Sequence, residues 1–182
     1  AHHFAKKYPS RFVEVGVAEQ NMLGVATGLA LEGKIPFATS FGAFSPGRNW
    51  DQLRVSVCYS NANVKIIGSH TGLSVGPDGA SHQALEDIAI TRCLPNLVVL
   101  APADFKETKL ATVAAAKHQG PVYIRFARQA GPIFTKGKFA IGKAQVLIPG
   151  KDITLIGCGP ILEEALIAAR ELAKKNIKLE VI

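Results

Sequence analysis

Val15-Gly-Val-Ala-Glu-Gln-Asn-Met22 is the stretch whose reading decides the fold. A β-prone run, Phe12-Val13-Glu14-Val15, leads into it, and a run of helical character, Met22 to Leu31, leads out. A strand is expected to end, and a helix to begin, at Glu19. In an open α/β sheet that edge is where ligands bind. A carboxylate there lies near a helix N-terminus, whose dipole stabilises negative charge. Taken alone, Glu19 reads as a first-turn helix acid, and the rest of the chain changes that reading.

Strand-like and helix-like runs alternate through the chain. Ile35 to Thr39 is a short apolar strand, followed by a loop, Ser40 to Gly47, that carries Phe41 and Phe44. Arg48 to Ser60 has helical spacing, with Trp50, Leu53 and Val57 on one face. After the turn Asn61-Ala62-Asn63, Val64 to Ile67 is a strand, and Gly68 to Ser81 is a loop with four glycines. Gln83 to Arg92 reads as a helix and Leu97 to Leu100 as a strand. Asp104 caps a helix running to Lys117, with Glu107 three residues on as the capping acid, and Val122 to Phe126 is a strand. Short apolar strands alternating with helices predict an α/β fold with a mainly parallel sheet covered by helices on both faces.

Residues 1–128 thus read as one domain. Residues 129–150 are a linker broken by glycine and proline and solvated by Lys136, Lys138 and Lys143, with one short strand at Gln145 to Ile148. Residues 151–182 hold a single strand–helix–strand unit, the start of a second α/β domain and too little for a core of its own. The chain opens on Ala1 and closes in a strand-like run, so it is expected to be a piece of a larger assembly.

The composition narrows the partners. Hydrophobic residues make up 48% and charged residues 19% of 182, an ordinary mix for a soluble protein. No apolar run reaches the ~18 residues of a membrane span, and no signal peptide is visible. Cys58, Cys93 and Cys158 are odd in number and not in a metal spacing, so they read as buried thiols in a reducing, cytoplasmic compartment. A net charge of +7 admits anionic partners. The basic residues are scattered without aromatic interleaving, which favours phosphorylated small molecules over nucleic acid.

Three loops leave the C-terminal ends of successive strands. The first carries Glu19. The second sets Phe41 and Phe44 in a glycine-bearing loop, where aromatics stay exposed unless something stacks on them. The third gathers His70, Asp78 and His82 on a glycine-rich backbone, a pattern more like a polar site than three separate structural residues. Arg128 follows the strand Val122 to Phe126 at the same edge and suits a phosphate or carboxylate.

These residues resemble the transketolase family. The resemblance rests on Ala18-Glu19-Gln20-Asn21-Met22, Phe41-x-x-Phe44, Gly68-Ser69-His70, Gly76-Pro77-Asp78-Gly79-Ala80-Ser81-His82-Gln83-Ala84-Leu85-Glu86-Asp87 and Arg128-Gln129. It runs in order over nearly the whole chain and covers the pyrimidine-binding domain and the start of the C-terminal domain. It is nearest to the form with a separate C-terminal subunit. The resemblance implies the thiamine diphosphate-binding fold and ketol transfer between sugar phosphates, a pentose phosphate pathway reaction. Glu19 matches the glutamate that hydrogen-bonds N1′ of the aminopyrimidine and favours its imino tautomer, and the cofactor serves as electron sink. Phe41 and Phe44 match the aromatics that pack the pyrimidine. Asp78 matches the acid on the ketose hydroxyls, and His82 a histidine of substrate binding and proton transfer. His70 and Arg128 match groups at the sugar-phosphate end.

Departures from the family pattern matter too. Gly47 stands where some members carry a third aromatic, and Ala80 replaces a common proline. The family holds Mg²⁺ and the diphosphate through a Gly-Asp-Gly motif and a downstream asparagine, and Gly76-Pro77-Asp78-Gly79 has no such partner. No metal ligand is therefore expected here. The diphosphate-binding, N-terminal module is expected on another chain or segment, in a homodimer or heterotetramer. The 1-deoxyxylulose-5-phosphate synthase family has a similar pattern but usually lacks a histidine where His70 stands. The β subunits of 2-oxo acid dehydrogenases keep the glutamate but differ in the third loop. A non-catalytic subunit would not require Glu19, Asp78 and His82 together.

Overall fold

The structure, a computed structural model, describes residues 2–182. Its centre is a four-stranded sheet of β1 (Phe37–Phe41), β2 (Lys65–Ser69), β3 (Val98–Leu100) and β4 (Val122–Arg125), in the order β1-β2-β4-β3. All three pairings are parallel, as the alternation of elements predicts. Helix α1 (His2–Lys7) precedes α2 (Glu19–Leu31). Helix α3 (Trp50–Gln52) continues as a π-helix over Leu53–Tyr59. Helix α4 (Asp87–Arg92) and α5 (Phe105–Lys117) connect to β3 and β4.

Side chains alternate across the sheet, and both faces are apolar. Ile66 and Tyr123 face a cluster with Leu23, Ala26, Leu53, Val57 and Cys58. Val122 and Ile124 face the opposite cluster with Leu100, Ala111 and Ala115. Helices therefore cover both faces. Phe139 and Ile141 of the linker pack on the second cluster, so that segment is partly structural and not only solvated.

Four sequence expectations are corrected. Phe12 to Val15 forms no strand: no described strand pairs with it, and the chain turns just after it, where the Glu14 carboxylate accepts the Gly16 N–H at 2.9 Å. Phe41 belongs to the end of β1, not to the loop. The helix expected from Gln83 begins only at Asp87, because Ala84 bridges back to Thr71 and accepts from Gly72 N at 2.9 Å. Of the three thiols, Cys58 is buried, and burial pushes it up to about 12, but Cys93 and Cys158 are exposed. Gln145 to Ile148 contributes one antiparallel bridge, Ile148 with Val181.

A second sheet pairs β5 (Ile153–Leu155) with β6 (Leu179–Val181) in parallel, joined by α6 (Leu162–Ala173). Leu162, Ala165, Leu166 and Ala169 form the helical stripe that packs with Leu147, Leu179, Val181 and Ala103. Among the described residues no helix is long and apolar enough to cross a membrane.

Two buried charges pin the joints. Lys65, at the start of β2, is fully buried, and desolvation brings its ammonium down to about 8. Its three donors reach Asn63 Oδ1 (2.6 Å), His118 O (2.8 Å) and Gly120 O (2.6 Å), so it ties β2 to the C-terminal end of α5. Asp104 caps α5 by accepting Glu107 N at 2.8 Å, while Glu107 reaches back to Ala103 N at 2.7 Å. The same carboxylate accepts Phe134 N (2.8 Å), Thr135 N (2.7 Å) and Thr135 Oγ1 (2.9 Å). Burial pushes the Asp104 carboxyl up, but the donors from Glu107, Thr135 and Phe134 outweigh it and hold it below its usual value.

A group whose folded value is depressed contributes stability above its unfolded value and loses it as pH falls through the folded one. Asp104 therefore contributes fully above roughly pH 4. In Asp104→Asn, the amide nitrogen faces backbone donors that have lost their acceptor. We expect a loss of about 2 kcal/mol at neutral pH and a shallower acid limb of the stability curve. Urea unfolding at a series of pH values measures both, and unchanged curves would refute the assignment.

Candidate active site

The register aligns the strand ends that carry the site. Phe41 lies opposite Ser69, and Gly68 opposite both Ser40 and Arg125. Backbone bonds continue past the strands: Gly42 N to Ser69 O (2.7 Å), Phe126 N to Gly68 O (3.1 Å) and Thr71 N to Phe126 O (3.2 Å). The loops that follow β1, β2 and β4 therefore start side by side at the carboxyl edge.

Glu19 is the first residue of α2 and only 6% exposed. Its Oε2 accepts Arg48 Nη1 at 2.9 Å, and Ser40 Oγ lies 3.5 Å from Oε1. The fully buried Asn49 donates to Glu19 O and to Ser45 Oγ, both at 3.1 Å, and so joins the start of α2 to the loop after β1. That loop turns at Gly47, where a Cβ would collide with the Ala43 carbonyl. No third aromatic fits that backbone.

The aromatic groups assemble beside it. The Phe41 and Phe44 rings are parallel within 5°, with centroids 6.3 Å apart. His70 stacks on Phe41 at 4.1 Å. His82 stands edge-on to Phe44 at 5.0 Å and to Phe41 at 6.0 Å. The Thr71–Ala84 bridge closes the loop after β2 and returns His82 to His70's neighbourhood. His70 has a left-handed φ of 57°, an uncommon conformation for a residue with a side chain. Ser69 Oγ donates to Ser40 O at 3.1 Å and so accepts from His70 Nδ1 at 3.0 Å, which leaves Nε2 for an outside partner. Ser81 Oγ lies 2.9 Å from His82 Nδ1.

Arg48 closes the arrangement. Its guanidinium carbon lies 4.5 Å from the Phe44 centroid while its Nη1 holds Glu19. Glu19, Phe41, Phe44, His70 and His82 thus form one constellation. Asp78, on the loop after β2, and Arg128, just after β4, stand apart from it. Asp78 is exposed at the tip of the turn Gly76 to Gly79, closed by Gly79 N to Gly76 O at 3.2 Å. Arg128 donates to Val75 O at 2.9 Å and packs against Gly76, so it braces that turn.

Sequence reasoning missed Arg48, Asn49 and the network beneath the site. Buried Asp87 accepts Tyr123 Oη at 2.8 Å and Arg125 Nε at 2.7 Å. Burial, then the Asp87 charge, pushes the Tyr123 phenol far up. The Tyr123 ring passes under Gly68, where a Cβ would strike it, so the floor at His70 rests on this network. Arg125 inside an apolar strand was the available signal, since a buried charge demands a partner.

A wholly parallel sheet that carries a buried carboxylate, an aromatic pair and two histidines on its carboxyl edge defines a cofactor-binding α/β module. Residues 1–133 match the transketolase pyrimidine-binding domain, and residues 142–182 the transketolase C-terminal domain. The chain belongs to the transketolase family. It is 47% identical to a Methanocaldococcus jannaschii protein described as a transketolase C-terminal section, covering 98% of this chain and 58% of that one. It is 42% identical to a 6-deoxy-6-sulfo-D-fructose transketolase subunit of Clostridium sp. strain MSTE9, covering 98% and 56%. Among solved structures, a split-gene transketolase described as an inactive β4 tetramer superimposes with TM-score 0.90 at 44% identity, covering 98% of this chain and 58% of that one. Campylobacter jejuni transketolase superimposes with TM-score 0.81 at 26% identity, covering 93% and 27%. The chain thus spans under two thirds of each of these relatives. Membership of the family implies use of thiamine diphosphate.

The network under Gly68 is directly testable. Tyr123→Phe removes one of the two donors to a buried carboxylate, and we expect a loss of about 1–3 kcal/mol. Thermal unfolding measures it, and an unchanged midpoint would show that the Asp87 bond contributes nothing.

Proposed function

We propose that this chain supplies the pyrimidine side of a thiamine diphosphate-dependent ketol-transfer site, acting on ketose and aldose phosphates. The observation that carries the reading is the juxtaposition of buried Glu19 with Phe44, both touched by one planar group, the Arg48 guanidinium. A planar, nitrogen-bearing group therefore fits against Phe44 while hydrogen-bonded to Glu19, which is what an aminopyrimidine requires. The bound cofactor supplies an electron sink for a two-carbon unit.

The chain's own residues then take distinct roles. Glu19 holds a proton at the pyrimidine N1′. Phe41 and Phe44 pack the ring and exclude water. His82, edge-on to both rings, exchanges a proton with a substrate hydroxyl. His70 offers Nε2 to a substrate oxygen, Asp78 accepts from ketose hydroxyls, and Arg128 receives the sugar phosphate. Mg²⁺ and the diphosphate belong to a partner N-terminal module, in a homodimer or heterotetramer. The exposed Cys93 and Cys158 suit a reducing, cytoplasmic setting. Residues 1–128, 129–150 and 151–182 act as pyrimidine-binding domain, linker and beginning of the C-terminal domain. His70 favours transketolase over the 1-deoxyxylulose-5-phosphate synthase reading.

In the complete assembly, Glu19→Gln should lower kcat by about 10²-fold or more. The cofactor should still bind, because its diphosphate is held elsewhere. A variant that keeps most of its kcat would overturn the assignment of Glu19.

Arg128→Ala should raise KM for phosphorylated donors and spare an unphosphorylated one, since a phosphate clamp does nothing without phosphate. Steady-state kinetics on the two donor types measures this. Equal losses would mean that Arg128 acts only through its brace to Val75.

A further inference from the structure

Arg48 makes two contacts, and each falls on a group that the proposed cofactor site needs free. Its Nη1 occupies Glu19 Oε2 at 2.9 Å, and its guanidinium covers Phe44 at 4.5 Å. A guanidinium is planar and carries several N–H donors, so in shape and stacking it resembles an aminopyrimidine ring. Its hydrogen-bond role differs: Glu19 accepts from Arg48, whereas toward the ring nitrogen of an aminopyrimidine Glu19 has to donate. A guanidinium that bonds Glu19 and lies over Phe44 also fills the space a ring stacked on Phe44 would take. Glu19 is held in place by Asn49 and burial, but the Arg48 side chain is 49% exposed and has space to swing outward.

We infer that Arg48 is an internal latch that occupies the pyrimidine place of this site and must leave Glu19 and Phe44 when thiamine diphosphate binds. Its neighbourhood supports a side-chain movement alone. Gly47 cannot take a Cβ against Ala43, and Asn49 is locked between Glu19 and Ser45, so the backbone on either side of Arg48 is fixed. While the latch is closed, Arg48 shields the buried acid and the face of Phe44, at a cost to cofactor affinity equal to the strength of its own contacts. The inference rests on the proposed cofactor reading and adds to it a residue that opposes binding.

The test is the dissociation constant of thiamine diphosphate, measured by calorimetry on the complete assembly. Arg48→Met removes the ion pair and keeps an apolar chain on the ring. We expect about fivefold tighter binding, the scale of a part-exposed ion pair. Arg48→Lys keeps the charge without the planar stack, and its affinity should fall between wild type and Arg48→Met. In the crystal structure of the loaded assembly, Arg48 should no longer bond Glu19. Unchanged or weaker cofactor binding in Arg48→Met, or a Glu19–Arg48 bond that persists beside the cofactor, would overturn the latch. If either occurs while Glu19→Gln still abolishes turnover, only the latch fails. If Glu19→Gln retains turnover, the underlying reading of Glu19 fails instead. Melting curves of both Arg48 variants confirm folding, and the half-exposed side chain makes a folding defect unexpected.

Discussion

One parallel register sets the place of every candidate side chain. With Phe41 beside Ser69 and Gly68 beside Arg125, the ends of β1, β2 and β4 coincide. The backbone bonds that continue through Gly42, Thr71 and Phe126 keep the following loops together beyond the sheet. Since side chains alternate along a strand, a slip of one residue in β1 would turn Phe41 to the other face, and one in β4 would move Tyr123 from the Leu23 cluster to the opposite cluster, away from Gly68. The core and the site are thus specified by the same choice. Gly68 shows the coupling at one position. It has no side chain because Tyr123 lies against it, and Tyr123 lies there because its hydroxyl meets Asp87.

Asp87, Lys65 and Asp104 are all charged, all buried, and each joins elements distant in sequence. A buried charge is costly unless its hydrogen bonds are made, and replacing it with an apolar group of equal volume often costs nothing. Their number of partners points to specification of geometry. Lys65 uses all three donors, and Asp104 accepts four bonds from two separate segments. Asp87 is less complete, with Oδ1 buried and without a partner. Its remaining bonds, to Tyr123 and Arg125, hold the strand beneath Gly68.

The sequence exposes what is local and hides what is distant. Short apolar runs located β2, β3 and β4, and Asp104 with Glu107 located the start of α5, because those signals lie within a few residues. Phe12 to Val15 misled because β-propensity describes a residue's fit to a ladder, and no ladder exists there. Gln83 to Glu86 misled because the backbone of Ala84 is taken by Thr71 and Gly72. Glu19, Phe41, Phe44, His70 and His82 were visible as unusual residue types on loops at one sheet edge, and the structure brings them together. Arg48 was not, since its partner lies 29 positions away and an arginine beside a glycine turn reads as surface.

Burial is divided unevenly within the candidate site. Glu19 is desolvated by its own chain, between α2 and the loop after β1. Phe41, Phe44, His70 and His82 remain only partly covered. Under the proposed function, a buried acid depends most on surroundings that are already in place, because water around it would weaken any bond it makes. Aromatic faces and imidazole edges lose less by waiting, since stacking needs only contact when the ligand arrives. On the proposed reading, in which the chain contributes half of a site, it therefore completes the environment of its carboxylate by itself and leaves the aromatic rim to be closed by the partner module.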